Sequence, residues 1–438
     1  MLSAFANAFK TPDLRKKILF TLFVLAVFRL GSMIPAPNVK LSAINECRIA
    51  AQSGTNAGLY SIINLFSGGA LLQLAIFALG IMPYITSSII MQLLTVVVPR
   101  LEALKKEGAA GTATITQYTR YLTLVLAVIN ATAFVTMAVN GQIFPECHTP
   151  ILYSYDLFPI IVMVLTMTAG TSLIMWMGEL ITERGVGNGM SVMIFTQIAA
   201  QFPTSLWAIK KSRESVSEAN AWFVFSVVVA IGLLVMLGVI YMEQAQRRIP
   251  VQYAKRMVGR RLVGGTTTYI PLKVNQSGVI PVIFASSILY LPVLYTLFRP
   301  DSDFSGWLNA YFNHDSFLYS AVFFVMVIAF AYFYVSITFN PEEVADNMKK
   351  YGGFIPGVRA GKPTERYLAY VLSRLTAPGS LYLACIALIP TAAYALLKAG
   401  QNFPFGGTSI LIIVGVGLDT VKQIESQLQQ RNYEGFLK

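Results

Sequence analysis

Seven basic side chains, Arg247, Arg248, Lys255, Arg256, Arg260, Arg261 and Lys273, crowd one stretch of the chain beside a single acid, Glu243. Such a cluster can hold phosphate groups or an acidic protein face. It makes and breaks no bonds, because protonated guanidinium and ammonium groups are donors and charges rather than bases. A second stretch, NPEEVADNMKKYGGFIPGVRAGKPTERY over 340–367, sets Arg359 at the tip of a Pro356-Gly357-Val358 turn. Its Gly-Gly, Pro-Gly and Gly-Lys-Pro punctuation predicts a protruding turn system rather than a helix. Positive charge alone also serves as a topology signal. Loops of ~30 residues are uncommon as mere connectors, however, and that shifts the balance toward docking surfaces.

Reactive groups are scarce. The two histidines, His148 and His314, fall in loops, and three cysteines are too few for a zinc site or a disulfide framework. Ser67-Gly68-Gly69 lacks a partner His or Asp at any plausible depth, so it reads as a flexible break and not a nucleophile elbow. No Gly-x-x-x-x-Gly-Lys-Ser/Thr occurs. The chain is therefore expected not to be an enzyme, to need no cofactor or metal, and to draw any driving energy from outside.

The elements that carry these groups are apolar. Of 438 residues, 55% are hydrophobic and 12% charged, where a soluble domain carries about 25% charged residues. A soluble multi-domain enzyme is excluded. Full spans are expected at roughly 18–37, 79–98, 121–139, 157–178, 189–209, 221–242, 277–298, 317–339, 376–397 and 404–421. The first follows Lys10, Arg15, Lys16 and Lys17 and has no small-residue cleavage site, so it reads as a retained span. With that basic end in the cytoplasm, roughly 25 of the 33 Lys and Arg fall inside, about seven outside, and Arg29 within the first span.

The stretch 59–99 contains no charged residue. As one helix it would be ~60 Å long, twice a bilayer core of ~30 Å. Gly68-Gly69, Gly80 and Pro83 break it, and two crossings would put Arg100, Lys105 and Lys106 outside. One re-entrant half followed by one crossing fits the charges better. Irregular backbone at that depth is tolerated only inside protein or beside a cavity. Of the cysteines, Cys47 and Cys147 fall in outward loops and Cys385 is expected to be buried in a span. Two free thiols and a Cys47–Cys147 disulfide both stay open.

Gly80-Ile81-Met82-Pro83-Tyr84-Ile85 is echoed by Gly278-Val279-Ile280-Pro281-Val282-Ile283, and Ser87-Ser88-Ile89 by Ser286-Ser287-Ile288 with one residue inserted. Each echo is second in a set of five spans, and an odd number per set inverts one half relative to the other. Two inverted halves enclose a path. A small-solute secondary transporter with broken helices is the alternative to a channel, but it usually needs ionisable residues at membrane depth. Here Ile, Met and Leu would face the path, which suits a gate that seals by dewetting.

The chain resembles the SecY family, the channel subunits of the general protein-secretion translocon, along nearly its whole length. The likeness rests on Asn64-Leu-Phe-Ser-Gly-Gly-Ala70, Phe77-Ala-Leu-Gly-Ile-Met-Pro-Tyr-Ile85, Gln117-Tyr-Thr-Arg-Tyr121, Ile181-Thr-Glu-Arg-Gly185 and Gly187-Asn-Gly189. It continues through Pro271-Leu-Lys-Val-Asn275, Phe339-Asn-Pro341, Ala345-Asp-Asn347, Pro356-Gly-Val-Arg359 and Phe405-Gly-Gly-Thr-Ser409. The resemblance implies an all-α polytopic membrane protein with ten transmembrane helices in two inverted five-helix halves, 1–210 and 211–438, and a re-entrant plug helix near 60–74.

It further implies a pore ring of Ile81, Ile85, Met190, Ile194, Ile283 and Ile412, and a plug carrying Asn64, Phe66, Ser67, Gly68 and Gly69. Thr86, Gln92 and Asn275 match lateral-gate positions. The cytoplasmic loops, about 243–276 and 340–375, would dock a translating ribosome through rRNA phosphates and the motor ATPase SecA, using Arg247, Arg248, Arg260, Arg261 and Arg359. Small partner subunits (SecE, SecG), secretory nascent chains and membrane lipid complete the implied partners. The implied site is the bacterial plasma membrane, multi-pass, with both termini cytoplasmic. One departure is that 111–116 carries no basic residue where relatives often carry several, which leaves the contacts expected of a loop there in question.

Overall fold

The computed structural model describes residues 11–44, 46–47, 70, 73–141, 149–214, 218–253, 256–258, 261–263, 267–298, 302–312, 316–389 and 407–434. The plug positions Asn64, Phe66, Ser67, Gly68 and Gly69, together with Arg260, Cys147, His148 and His314, lie outside them. The described helices are α1 (Pro12–Gly31), α2 (Met82–Val97), α3 (Pro99–Lys106), α4 (Ala109–Val139), α5 (Leu157–Arg184), α6 (Gly189–Glu214) and α7 (Glu218–Gln244). The strands β1 (Gln246–Tyr253), β2 (Arg256–Val258), β3 (Arg261–Val263) and β4 (Thr267–Lys273) follow. After them come α8 (Ile280–Phe298), α9 (Asp303–Tyr311), α10 (Phe317–Thr338), α11 (Pro341–Lys350), β5 (Gly353–Phe354), α12 (Lys362–Ala387) and α13 (Gly407–Glu434). Each of the ten expected spans overlaps one of these helices. By length and apolar composition, four described helical runs suffice to cross a membrane, Ala109–Val139, Leu157–Arg184, Phe225–Gln244 and Phe317–Lys350. A fifth counts if the α2–α3 pair, bent by 98° at Val98, is one span.

Several sequence expectations need correction. The chain is not all-α, because β4-β1-β5 form a three-stranded antiparallel sheet and β2-β3 a two-stranded one. The stretch from 340 is not only turns. Asn340 caps the amphipathic helix α11, its side chain accepting from Glu342 N–H. The segment 111–116 is no loop, since it lies inside α4. Arg29 sits in the last turn of α1, which ends at Gly31 rather than near residue 37. Cys385 is exposed and free, whereas Cys47 is buried and disulfide-bonded. The free-thiol reading of Cys47 is therefore set aside.

The chain divides into two compact units. The first holds Met1–Ser226, Leu397–Pro404 and Val416–Lys438, and the second Val227–Leu396 and Phe405–Gly415. In the first unit α4 buries Thr119, Thr123, Ala127, Ala131 and Val135. This stripe, spaced by four, lets α4 approach its neighbours closely. Gly170 of α5 lies so close to Ile76 that a Cβ there would strike its carbonyl oxygen. Val24, Phe28, Phe77, Ile81, Ile174, Met177, Ile181 and Met193 close one apolar cluster, in which Phe28 and Phe77 stack at 5.9 Å. The segment before α2 is tied back to the segment after α1 by Ala36 N–H to Leu74 carbonyl, 2.8 Å, and Ile76 N–H to Ile34 carbonyl, 2.9 Å.

In the second unit, β1 pairs with β4 from Gln246↔Lys273 to Gln252↔Thr267. Ile249, Val251 and Leu272 turn inward onto Met348, Ile355, Leu368 and Val371. The two basic stretches are thus one folded body, with the sheet packed on α11 and α12. That packing is what a pair of independent loops would lack.

Candidate functional site

Two elbows organise the candidate residues. At the first, Gly80 adopts φ +56° and Pro83 opens α2 in its first turn, where a missing N–H breaks no helical bond. The amides of Tyr84 and Ile85 both turn back to Ile81 carbonyl, at 3.1 and 3.2 Å. At the second, Gly278 adopts φ +60°, and the amides of Val282 and Ile283 both turn back to Val279 carbonyl, at 3.1 and 3.3 Å. The echoed motifs therefore share one local geometry, residue for residue. The left-handed backbone explains why both begin with glycine.

Around the first elbow, four of the six expected ring residues meet. Ile81, 1% exposed, belongs to the buried cluster, and Ile85, Met190 and Ile194 pack against it. Helix α6 brings Met190 and Ile194 to that place because glycines at its start allow a close crossing with α5. A Cβ on Gly178 would meet Met190 Sδ, and one on Gly189 would meet Gly178 carbonyl. Ile283 and Ile412 lie in the second unit, 8% and 3% exposed. Thr86 donates its hydroxyl to Met82 and Pro83 carbonyls at 3.1 and 3.0 Å, while Gln92 is exposed.

Two features went unnoticed in the sequence. Gln197 lies on the same stripe of α6 as Met190 and Ile194, three residues past the latter. It is 2% exposed, its Nε2 has no hydrogen-bond partner, and a Cβ on Gly80 would stand 2.6 Å from that atom. Arg120 of α4 and Glu179 of α5 form an ion pair at 2.7 Å, side chains 46% and 19% exposed. The spacing of 59 residues gave no local signal for it.

Asn275 is 3% exposed and donates to Glu243 Oε1 at 2.6 Å and to Gly278 carbonyl at 3.3 Å. Its place is the base of the β1–β4 hairpin and the start of the second elbow. Of the docking candidates, Arg247 and Arg248 are exposed on β1, and Arg261 lies on β3. Arg359 is exposed directly after a turn closed by Val358 N–H to Ile355 carbonyl, 3.0 Å, with Gly357 at φ +84°. Its own carbonyl accepts from Thr364 Oγ1 at 2.8 Å, which ties the turn to the start of α12. Among the described residues no group of His, Cys, Asp and Glu is arranged to hold a metal ion.

The SecY family profile matches residues 75–421. The protein translocase subunit SecY of Streptomyces scabiei is 61% identical over the whole of both chains, and that of Mycobacterium bovis 56%. Among solved structures, one described as a protein conducting channel matches with a TM-score of 0.62 at 19% identity, over 94% of this chain and 91% of that one. Sec61 in the canine ribosome-channel complex matches with a TM-score of 0.57 at 16% identity, over the same shares. These structures share the fold. At this identity along its full length, the chain is a multi-pass membrane protein and belongs to the SecY family.

Proposed function

We propose that this chain is the central protein-conducting channel of a Sec translocon, passing unfolded secretory polypeptides across a membrane and releasing transmembrane segments sideways into lipid. The observation that carries this reading is the pair of matched elbows, which set Ile85 and Ile283 at equivalent points in a chain of this family. Bulky apolar side chains at a waist exclude water and ions, yet give a passing chain no strong place to bind.

In this reading ten helices cross the membrane as two inverted halves, 1–210 and 211–438, with both termini in the bacterial cytoplasm and the plug near 60–74. Ile81, Ile85, Met190, Ile194, Ile283 and Ile412 make the ring, and Thr86, Gln92 and Asn275 border the lateral exit. The disulfide-bonded Cys47 agrees with an outward first loop, because such bonds persist in oxidising compartments. The folded body of β1, β4, α11 and α12 is the cytoplasmic docking face. Arg247, Arg248, Arg261 and Arg359 would meet rRNA phosphates or the motor ATPase SecA, with SecE and SecG as membrane partners.

The test is site-specific photocrosslinking from positions 85 and 283 to a stalled secretory chain in the assembled translocon. Crosslinks from both positions are expected. A labelled chain that avoids both would overturn the reading.

A further inference from the structure

Glu243, the only acid beside the basic cluster, ends α7 just before β1 begins. Its Oε1 accepts from Asn275 Nδ2 at 2.6 Å, the distance of a charge-assisted bond. The same amide reaches Gly278 carbonyl at 3.3 Å, and Asn275 Oδ1 accepts from Ser277 Oγ at 3.1 Å. One residue earlier, Val274 N–H donates to Ala245 carbonyl at 3.0 Å. The base of the hairpin is therefore closed by two cross-links, and the one through Asn275 runs directly into the elbow that begins α8.

A third element completes the junction. Helix α12 lies so close that a Cβ on Gly379 would strike Val274 carbonyl. Three residues on, on the same face of α12, Tyr382 carries a buried hydroxyl with no hydrogen-bond partner. Buried hydroxyls are almost always paired, so an orphan one helical turn from the Gly379–Val274 contact needs a reason. The reason offered by the geometry is a second position for the carboxylate. Exchanging Asn275 for Tyr382 would keep the number of bonds to Glu243 and satisfy the orphan donor. Asn275 would keep its bond to Gly278.

We propose that Glu243 is a two-position latch, holding Asn275 and the Gly278 elbow as seen here and taking the Tyr382 hydroxyl instead when a docking partner loads the hairpin. In the first position the hairpin and the start of α8 move as one piece. In the second the elbow is released from the end of α7. The latch couples the docking face to the helix that carries Ile283; the loading partner and this functional consequence rest on the channel reading above, whereas the resting position of Glu243 on Asn275 does not.

The experiment is hydrogen exchange at the Val282 and Ile283 amides of the full chain, assembled with its partner subunits in nanodiscs. Asn275→Ala, which removes the first position, is expected to accelerate exchange there about tenfold, the effect of one lost hydrogen bond to a charged group. Adding the motor ATPase with a non-hydrolysable nucleotide is expected to accelerate the parent in the same way. Tyr382→Phe, which removes the second position and deletes only an unpaired hydroxyl, is expected to abolish that response. Unchanged exchange in Asn275→Ala overturns the latch, as does a full partner response in Tyr382→Phe. Should Asn275→Ala fail to assemble, the Tyr382→Phe arm decides alone. Accelerated exchange with an unaltered resting ion leak keeps the latch and removes Ile283 from the ring.

Discussion

The two elbows share their backbone and differ in what holds them. The first is fixed by packing. Gly80 is pressed against a buried side chain, Ile81 is sealed in an apolar cluster, and the nearest polar side chain, Gln197, has an unpaired amide nitrogen. The second adds hydrogen bonds to its packing. Nothing stands within 4 Å of where a Cβ on Gly278 would sit, and Asn275 and Glu243 tie the segment to the hairpin. Packed interfaces are short-range and resist small displacements, while a hydrogen bond can change partners without loss. One sequence motif thus builds an elbow held by packing in one unit and an elbow also held by side-chain hydrogen bonds in the other. The second elbow is tied through Asn275 and Glu243 to the hairpin that we propose as a docking face.

The largest test of that asymmetry is charge reversal on the proposed docking face. Arg359 is exposed on the turn that packs beside the hairpin, so Arg359→Glu leaves the apolar cluster untouched. Losing one charged contact and adding a repulsion costs about 2–5 kcal/mol of partner binding, or roughly thirtyfold or more. Motor-driven export by inverted vesicles should fall accordingly while the chain stays assembled. Normal export would detach the docking face from the second elbow's function.

Next come matched substitutions with opposite signs. Asn275→Leu removes the 2.6 Å donor of Glu243 and the donor to Gly278 carbonyl; with Tyr382 able to replace only the first, it should lower stability by about 1–1.5 kcal/mol. Gln197→Leu removes a buried amide nitrogen that has no partner, at similar volume, and should raise stability by about 1 kcal/mol. Thermal unfolding of the purified complex in detergent measures both. The same sign at both sites would mean that the elbows are held alike.

The helices were legible because long apolar runs admit few alternatives, but their ends were not. Helix α4 begins at Ala109 and α13 runs to Glu434, past the apolar core, because polar residues continue a helix into water without penalty. The hairpin was hidden by its own content. Pro250 and Pro271 argue against strands, and the arginines draw the eye from the alternation of Ile249 and Val251. The structure resolves this simply. Strand β5 reaches only Gln252 and Tyr253, so the open edge beside Pro250 asks for no donor. The Glu243–Asn275 bond spans 32 residues and Gln197 meets Gly80 from another helix, so neither pairing had a local signature. Ring candidates were named from family motifs, and their local geometry came only with the fold.

A glycine comparison separates backbone from packing. Alanine at either elbow must hold a left-handed φ, costing about 1–2 kcal/mol. At Gly80 the new methyl also meets Gln197 Nε2 at 2.6 Å, so Gly80→Ala should lose roughly 1 kcal/mol more than Gly278→Ala. Adding Gln197→Ala should erase that excess and leave the backbone cost. A double-mutant cycle with no coupling would place the stiffness of the first elbow elsewhere.

The smallest effect concerns Met190, the one unbranched member of the expected ring. Its thioether reaches Gly178 of α5, so the side chain is steadied at its tip rather than at its stem. Three rotatable bonds let it fill an irregular gap, but they also let it leave that gap. Isoleucine is stiff at χ1 and of similar volume, and volume-conserving swaps cost under about 1.5 kcal/mol. Met190→Ile should therefore keep export at the parental rate and lower the resting ion leak of proteoliposomes by a modest factor. A rise in leak would show that the first elbow's packing depends on methionine's reach to Gly178, and that the stiff side of the comparison owes its seal to an adaptable side chain.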